Sequence, residues 1–205
     1  MGVLPPAPET GFIGRSRDLL ALERLLCGAG TSPRYAVIRG QGGEGKTALA
    51  VEFARWLVRS QQIQRVAFVS VESNGNAAAV LFALCQQLLV NDSATLTDAN
   101  KALQALERAL KEQTTLLVID NMESVLLPPY LAVSTPDALT EDAARELQAI
   151  LNLCAKLNAI ADTRLLFTSR EALPSPFAHA KHLRELKHLA LSDAVELVEK
   201  SLRQY

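Results

Sequence analysis

Apolar positions along this chain switch between helical and strand spacing, and the switching predicts a layered α/β fold. Leu19, Leu22, Leu25 and Leu26 recur at helical spacing, with Ser16 as candidate N-cap and Gly28 and Gly30 closing the segment. Arg34 to Arg39 reads as a short strand, and Ala48 to Leu57 as the helix after it. Gln64 to Val71 reads as a second strand. Residues 76–90 form an apolar helix, and residues 98–112 an amphipathic one with Leu103, Leu106 and Leu110 on one face. Thr115-Leu116-Leu117-Val118-Ile119 is apolar almost throughout, the pattern of a strand covered on both faces by helices. A loop is expected from Pro128-Pro129 through Pro136, then a long helix over 140–160 with Ala144, Leu147, Ile150, Leu151 and Leu157 inward. Arg164 to Thr168 makes a fourth strand and Leu183 to Leu189 a fifth, and Ser192 is expected to cap a last helix running into the C-terminus. No internal repeat is present. Strands alternating with helices argue for a parallel sheet covered on both faces.

Between the first strand and its helix lies Gly40-Gln41-Gly42-Gly43-Glu44-Gly45-Lys46-Thr47, which fits the phosphate-loop pattern G-x-x-x-x-G-K-[ST] at every position. The glycines allow a tight turn whose successive N–H groups point inward as an anion nest. The helix starting near Gly45 and running on through Ala48 adds the positive end of its dipole. Lys46 is expected on the β- and γ-phosphates, and the Thr47 hydroxyl on Mg²⁺.

Such a loop works with a second acid that holds hydrated magnesium. Asp120 supplies it, at the C-terminal end of the buried strand, where ligands bind in open α/β sheets. The next residue is Asn121, which cannot act as a base, where many hydrolytic ATPases carry a glutamate. Glu123 is the nearest carboxylate: either it swings toward the γ-phosphate, or it is a solvated residue on the following turn. Slow hydrolysis is the expectation. The fourth strand ends Thr168-Ser169-Arg170, placing Arg170 to report the γ-phosphate by a charge-assisted hydrogen bond. Lys46, Asp120, Glu123 and Arg170 are thus the candidate catalytic residues, and Thr47 and Asp120 the candidate metal ligands. No Asn-Lys-x-Asp sequence is present to read guanine.

Composition narrows the class further. Of 205 residues, 49% are hydrophobic and 21% charged, which is ordinary for a globular domain with a sizeable core. The net charge is −1 and no basic stripe is visible, so neither nucleic acid nor an anionic membrane surface is predicted as a partner. Arg15, Arg17 and Arg24 read as a solvated helix face. Cys27, Cys85 and Cys154 are odd in number, widely spaced and set in apolar helical stretches, which predicts buried reduced thiols. His179, His182 and His188 read as surface or loop residues. No apolar run reaches membrane-spanning length, no signal peptide is recognisable, and Pro6 breaks a myristoylation pattern, so a cytoplasmic location is expected. Residues 1–10, with Pro5, Pro6 and Pro8, read as an extended, poorly packed linker, and residues 11–205 as one nucleotide-binding domain.

Phe12-Ile13-Gly14-Arg15 with Asp18-Leu19 resembles the "hydrophobic-Gly-Arg-x-x-Glu-Leu" opening of STAND ATPases, signal-transduction switches related to the NB-ARC and AAA+ groups. The phosphate loop, Leu116 to Glu123 and Thr168-Ser169-Arg170 are similar to that family's next three motifs, in order. Leu183 to Leu189 followed by Leu191 to Leu197 is similar to its exit segment. The resemblance implies a three-layer P-loop NTPase fold with a five-stranded parallel sheet in the order 2-3-4-1-5. It implies ATP or ADP with Mg²⁺, the base near Ile13 and Gly14, and Arg15 close to the nucleotide. It also implies a switch, in which ADP holds a closed monomer and ATP favours an open, oligomerising form. An effector domain preceding this module, and a winged helix and repeats following it, are the implied partners; the chain ends at Tyr205, before the winged helix. Asp18 stands where the family has glutamate. Two other readings are a small-molecule kinase, for which Arg184 and the Pro174–Pro176 loop are the candidate lid, and a degenerate scaffold, against which Lys46, Thr47 and Asp120 argue.

Overall fold

The computed structural model describes residues 4–28, 33–89, 98–126 and 141–203. Helix α1 (Ser16–Cys27) precedes strand β1 (Tyr35–Arg39), helix α2 (Lys46–Arg59) and strand β2 (Arg65–Ser70). Helices α3 (Ala77–Leu88) and α4 (Ala99–Glu112) lead to β3 (Thr115–Asp120) and a 3₁₀ turn at Met122–Ser124. Helix α5 (Glu141–Asn158), β4 (Thr163–Ser169), a second 3₁₀ turn (Ala180–His182), β5 (Leu183–Glu185) and α6 (Leu191–Leu202) complete the chain. The five strands form one sheet in the order β2-β3-β4-β1-β5, and every pair is parallel. This is the P-loop NTPase fold that the sequence motifs implied.

Period-two alternation along each strand divides the core into two layers. Ala36, Ile38, Leu116, Val118 and Leu166 face α1 and α2, where Leu22, Leu26, Leu49, Phe53 and Leu57 are fully buried. Val37, Leu117, Ile119, Leu165 and Phe167 face the other way, onto α3, α4 and α5. Each fully buried Leu or Phe contributes about 1.5–3 kcal/mol relative to exposure, so both layers hold the sheet rigid under the site.

Register then aligns the strand ends. Ser70 pairs with Asp120, and Arg39 pairs with Ser169. The residues just beyond β1, β2, β3 and β4 therefore emerge along one edge, the carboxyl edge where ligands of parallel sheets bind.

Several expectations are corrected. Ser16 and Ser192 lie inside their helices; Arg15 and Ala190 hold the N-cap positions, and neither side chain caps. Ala144 is exposed, and Cys154 takes an inward place on α5. The fifth strand is short: Leu186 N–H still donates to Arg39 O at 2.7 Å, after which the chain leaves the sheet toward α6. Leu4 packs against the α1–α2 layer and Arg55 donates to the Pro5 carbonyl, so this part of the proline-rich segment lies along α2 rather than loose. Gly30 and the Pro128–Pro136 loop lie outside the described residues.

Cys85 and Cys154 are buried free thiols, pushed up by desolvation to about 11 and about 12 respectively. Cys27 is half-buried, with an Arg164 guanidinium N–H 3.2 Å from its sulfur.

Candidate functional site

The loop between β1 and α2 has the backbone its glycines permit. Gly43 and Gly45 adopt φ of 81° and 84°, conformations that a side chain would strain, and Gly45 is the N-cap of α2. Lys46, the first residue of that helix, is buried, and its ammonium donates to the carbonyls of Gly40 at 2.9 Å and Gln41 at 3.1 Å. The Glu44 carboxylate folds back over Gly40 and accepts the Gln41 N–H at 2.6 Å, while its other oxygen lies 3.4 Å from His188 Nδ1.

Asp120 meets this loop from β3. The Thr47 hydroxyl lies 2.9 and 3.1 Å from its two carboxylate oxygens. Thr168 on the neighbouring β4 donates to Asp120 Oδ1 at 2.6 Å and accepts the Asn121 N–H at 2.9 Å. The adjacent hydroxyl and carboxylate are hard oxygen donors of the kind magnesium takes, so these residues fit that ion.

Glu123 sits on the 3₁₀ turn after β3, anchored by fully buried Met122. Its side chain is only 14% exposed, which removes the solvated reading. Its Oε1 lies 3.1 Å from Arg170 Nε and 3.9 Å from Lys46 Nζ, and its Oε2 is buried with no hydrogen-bond partner among the described residues. The Arg170 guanidinium lies over the loop, with Cζ 3.4 Å from where a Cβ on Gly42 would stand. Lys46, Thr47, Glu72, Asp120, Glu123 and Arg170 line one cavity of about 440 Å³.

The sequence pattern of the AAA domain family matches residues 31–173, a span that runs from before β1 through the end of β4. This chain belongs to the AAA domain family. Among solved structures it is similar to Aeropyrum pernix ORC1 in complex with DNA, at 17% identity and a TM-score of 0.64, covering 94% of this chain and 50% of that one. It is also similar to a Walker-type ATPase of Pyrococcus abyssi, at 13% identity and TM-score 0.63, covering 98% and 61%. A third likeness is Aeropyrum pernix ORC2 in its ADPNP and ADP complexes, at 20% identity and TM-score 0.62, covering 98% and 54%. These likenesses show the fold, and the chain spans about half to three-fifths of the length of these three structures. Among curated proteins, none matches the chain closely enough to count as a relative.

In this AAA domain the segment before α1 closes the other side of the loop. Arg15 is not on a solvated face: its side chain is 9% exposed, donates to the Glu44 carbonyl at 2.9 Å and reaches Asp18 at 3.5 Å. Phe12, Ile13, Ala48, Leu189 and Leu197, with Gly43 to Gly45, line a more apolar pocket of about 420 Å³ beside the cavity that holds Lys46 and Asp120. Gly14 lies against α6, where an added Cβ would stand 2.6 Å from Asp193 Oδ2.

Arg184 donates twice to Asp18 Oδ1, at 2.8 and 2.5 Å, which ties β5 to α1. It lines a neighbouring cavity with Gly14, Arg15 and Asp193 rather than the one that holds Lys46 and Asp120.

Three features escaped the sequence reading. Glu72 lines the same cavity as Lys46 and Asp120, and its Oε2 accepts from Asn121 Nδ2 at 2.9 Å. Its signal was an acidic residue just past the end of the second strand. Pro8 and Thr10 line the apolar pocket. His182 packs edge-on against Tyr35 at 4.3 Å rather than standing free. Among the described residues, no helix is long and apolar enough to cross a membrane.

Proposed function

We propose that this AAA domain binds ATP and ADP with Mg²⁺, hydrolyses ATP slowly, and serves as the regulatory switch module of a STAND-type ATPase. One observation carries the reading: Lys46, Thr47, Asp120 and Arg170, drawn from three separate elements, converge on one cavity at the mouth of a glycine loop. Lys46 and Arg170 share a single carboxylate, Glu123, at the place where a terminal phosphate offers them more negative charge. ADP lacks that group, so the arrangement distinguishes the two nucleotides. Thr47 and Asp120 hold the magnesium, which when bound neutralises charge on the phosphate oxygens.

Ile13, Phe12 and Leu189 suit the flat apolar face of a base, and Arg15 couples that pocket to the loop through Glu44. Asn121 supports slow turnover, because it cannot act as a base where many hydrolytic ATPases carry a glutamate. The similarity to an ORC2 with ADPNP and ADP complexes supports adenine. Other domains of a longer chain are the proposed partners, together with a second copy in the ATP state. Helix α6 supports this with exposed Leu191, Val195, Val198 and Leu202, an apolar stripe that such a neighbour covers.

The test is the nucleotide released from purified, denatured protein, resolved by chromatography, with Mg-ATP titration of wild type and Lys46→Ala. Adenine nucleotide in the wild type alone supports the reading. Absence of wild-type binding at millimolar Mg-ATP would sink it and leave a scaffold.

A further inference from the structure

The geometry points to Glu72 as the carboxylate that orients the attacking water and takes its proton, with Asn121 as the positioning residue that holds it. This rests on the reading of the cavity as a Mg-ATP site.

The backbone at position 121 explains why the carboxylate is elsewhere. Asn121 has φ 64° and ψ 46°, a left-handed conformation that asparagine tolerates and longer side chains resist. Its N–H donates to Thr168 Oγ1 at 2.9 Å, the hydroxyl that itself donates to Asp120, so relaxing the residue gives up that hydrogen bond. The end of β3 thus presents an amide, and that amide donates across the sheet edge to Glu72 Oε2 at 2.9 Å.

The turn bearing Glu72 is held on both sides. Val71 N–H donates to Asp120 O at 2.9 Å, extending the β2–β3 pairing by one residue. Asn74 donates to Ser70 O through its side chain and to Val71 O through its backbone. Glu72 is exposed at the cavity mouth, open to water, and among the described residues Asn121 is its hydrogen-bond partner.

Glu123, the other acid of the cavity, is poorly suited to the task. Its Oε1 is committed to Arg170 and Lys46, and its Oε2 is buried away from solvent. One carboxylate therefore neutralises cations and the other faces water. In the step assigned to Glu72, the water oxygen bonds to the γ-phosphorus. The bond to the β–γ bridging oxygen breaks, and its electron pair leaves with ADP. The water proton passes to Glu72, which releases it to solvent, so the products are ADP and inorganic phosphate.

The experiment compares the full chain with Glu72→Gln, Glu72→Asp and Asn121→Gly, the last keeping the left-handed backbone while removing the amide. Mg-ATP binding is read by equilibrium dialysis, turnover by phosphate release, and folding by thermal melting. Glu72→Gln is expected to lower kcat about 100-fold or more while affinity changes less than about threefold. Glu72→Asp is expected to recover part of the rate, and Asn121→Gly to lower kcat about tenfold at constant KM. Turnover of Glu72→Gln within about threefold of a hydrolysing wild type overturns the assignment and leaves the nucleotide reading intact. So does a wild type that binds Mg-ATP without turnover, and so does loss of binding in Glu72→Gln. A wild type that binds no Mg-ATP overturns both readings.

Discussion

Arg170 Nε lies 3.1 Å from Glu123 Oε1, and Lys46 Nζ lies 3.9 Å from the same oxygen. The two cations that the proposed reading places on phosphate thus share one internal anion. In the proposed reading a γ-phosphate competes with Glu123 Oε1 for these two cations, whereas ADP leaves the Arg170 contact undisturbed. Arg170→Ala is accordingly expected to weaken ATP binding by about tenfold, one charged hydrogen bond's worth, with ADP affinity nearly unchanged. Glu123→Gln removes the competitor and should tighten ATP binding by a few-fold. Titration calorimetry with both nucleotides checks this; equal losses for ATP and ADP in Arg170→Ala count against the sensor role.

Arg15 anchors the loop from outside. Its guanidinium holds the Glu44 carbonyl, and its own backbone sits at φ 61°. Arg15→Ala leaves that carbonyl without its charged donor and keeps the strained backbone. The expected cost is about 1.5–3 kcal/mol of unfolding free energy in urea, with weakened nucleotide binding besides. Arg15→Gly relieves the backbone, so it should fall closer to wild type in stability than the alanine variant does.

Gly14 lies close against α6. A methyl group there meets the Asp193 carboxylate at 2.6 Å, and the backbone at φ 68° disfavours any side chain. Gly14→Ala should therefore loosen α6 from the body of the domain. Limited proteolysis is the readout, with faster cleavage near residues 187–192 expected. Asp193→Gly in the same background should restore part of the protection, because it removes the obstructing carboxylate but not the backbone strain.

His182 carries a pH dependence. Burial and, second, the neighbouring His179 lower its pKa from the ordinary 6.5. Its Nδ1 is buried with no hydrogen-bond partner among the described residues, in keeping with a neutral ring packed on Tyr35. As pH falls through 6.5 the unfolded chain takes up a proton that the folded chain resists, so this contribution to stability declines below that value. Urea midpoints at pH 7.5 and 5.5 should differ more for wild type than for His182→Gln. Identical differences would remove His182 as the source.

The fold was legible because its signals are local. The apolar run ending at Asp120, the eight residues Gly40 to Thr47 and the alternation of spacings are read one segment at a time, and parallel sheets impose those patterns directly. Helix caps were less legible. Ser16 and Ser192 have the right chemistry for an N-cap, but packing of the preceding segments starts each helix one residue earlier or more, at positions whose side chains do not cap. Arg15 looked like a surface charge because its partner, Glu44, lies 29 positions away.

The sequence by itself determined which groups are candidates for a nucleotide site: Lys46 by the glycine spacing, Asp120, as a metal ligand, by the end of a buried strand, and Arg170 by the end of the next. Only the tertiary structure decided how the carboxylates divide. Asp120 alone follows from a local pattern. Glu123 becomes a counterion because the 3₁₀ turn points it between Lys46 and Arg170. Glu72 enters the cavity because β2 and β3 are neighbours in register, Ser70 beside Asp120. Strand order and register are long-range properties, set by how two faces of one sheet bury their side chains, and no spacing within a single segment encodes them.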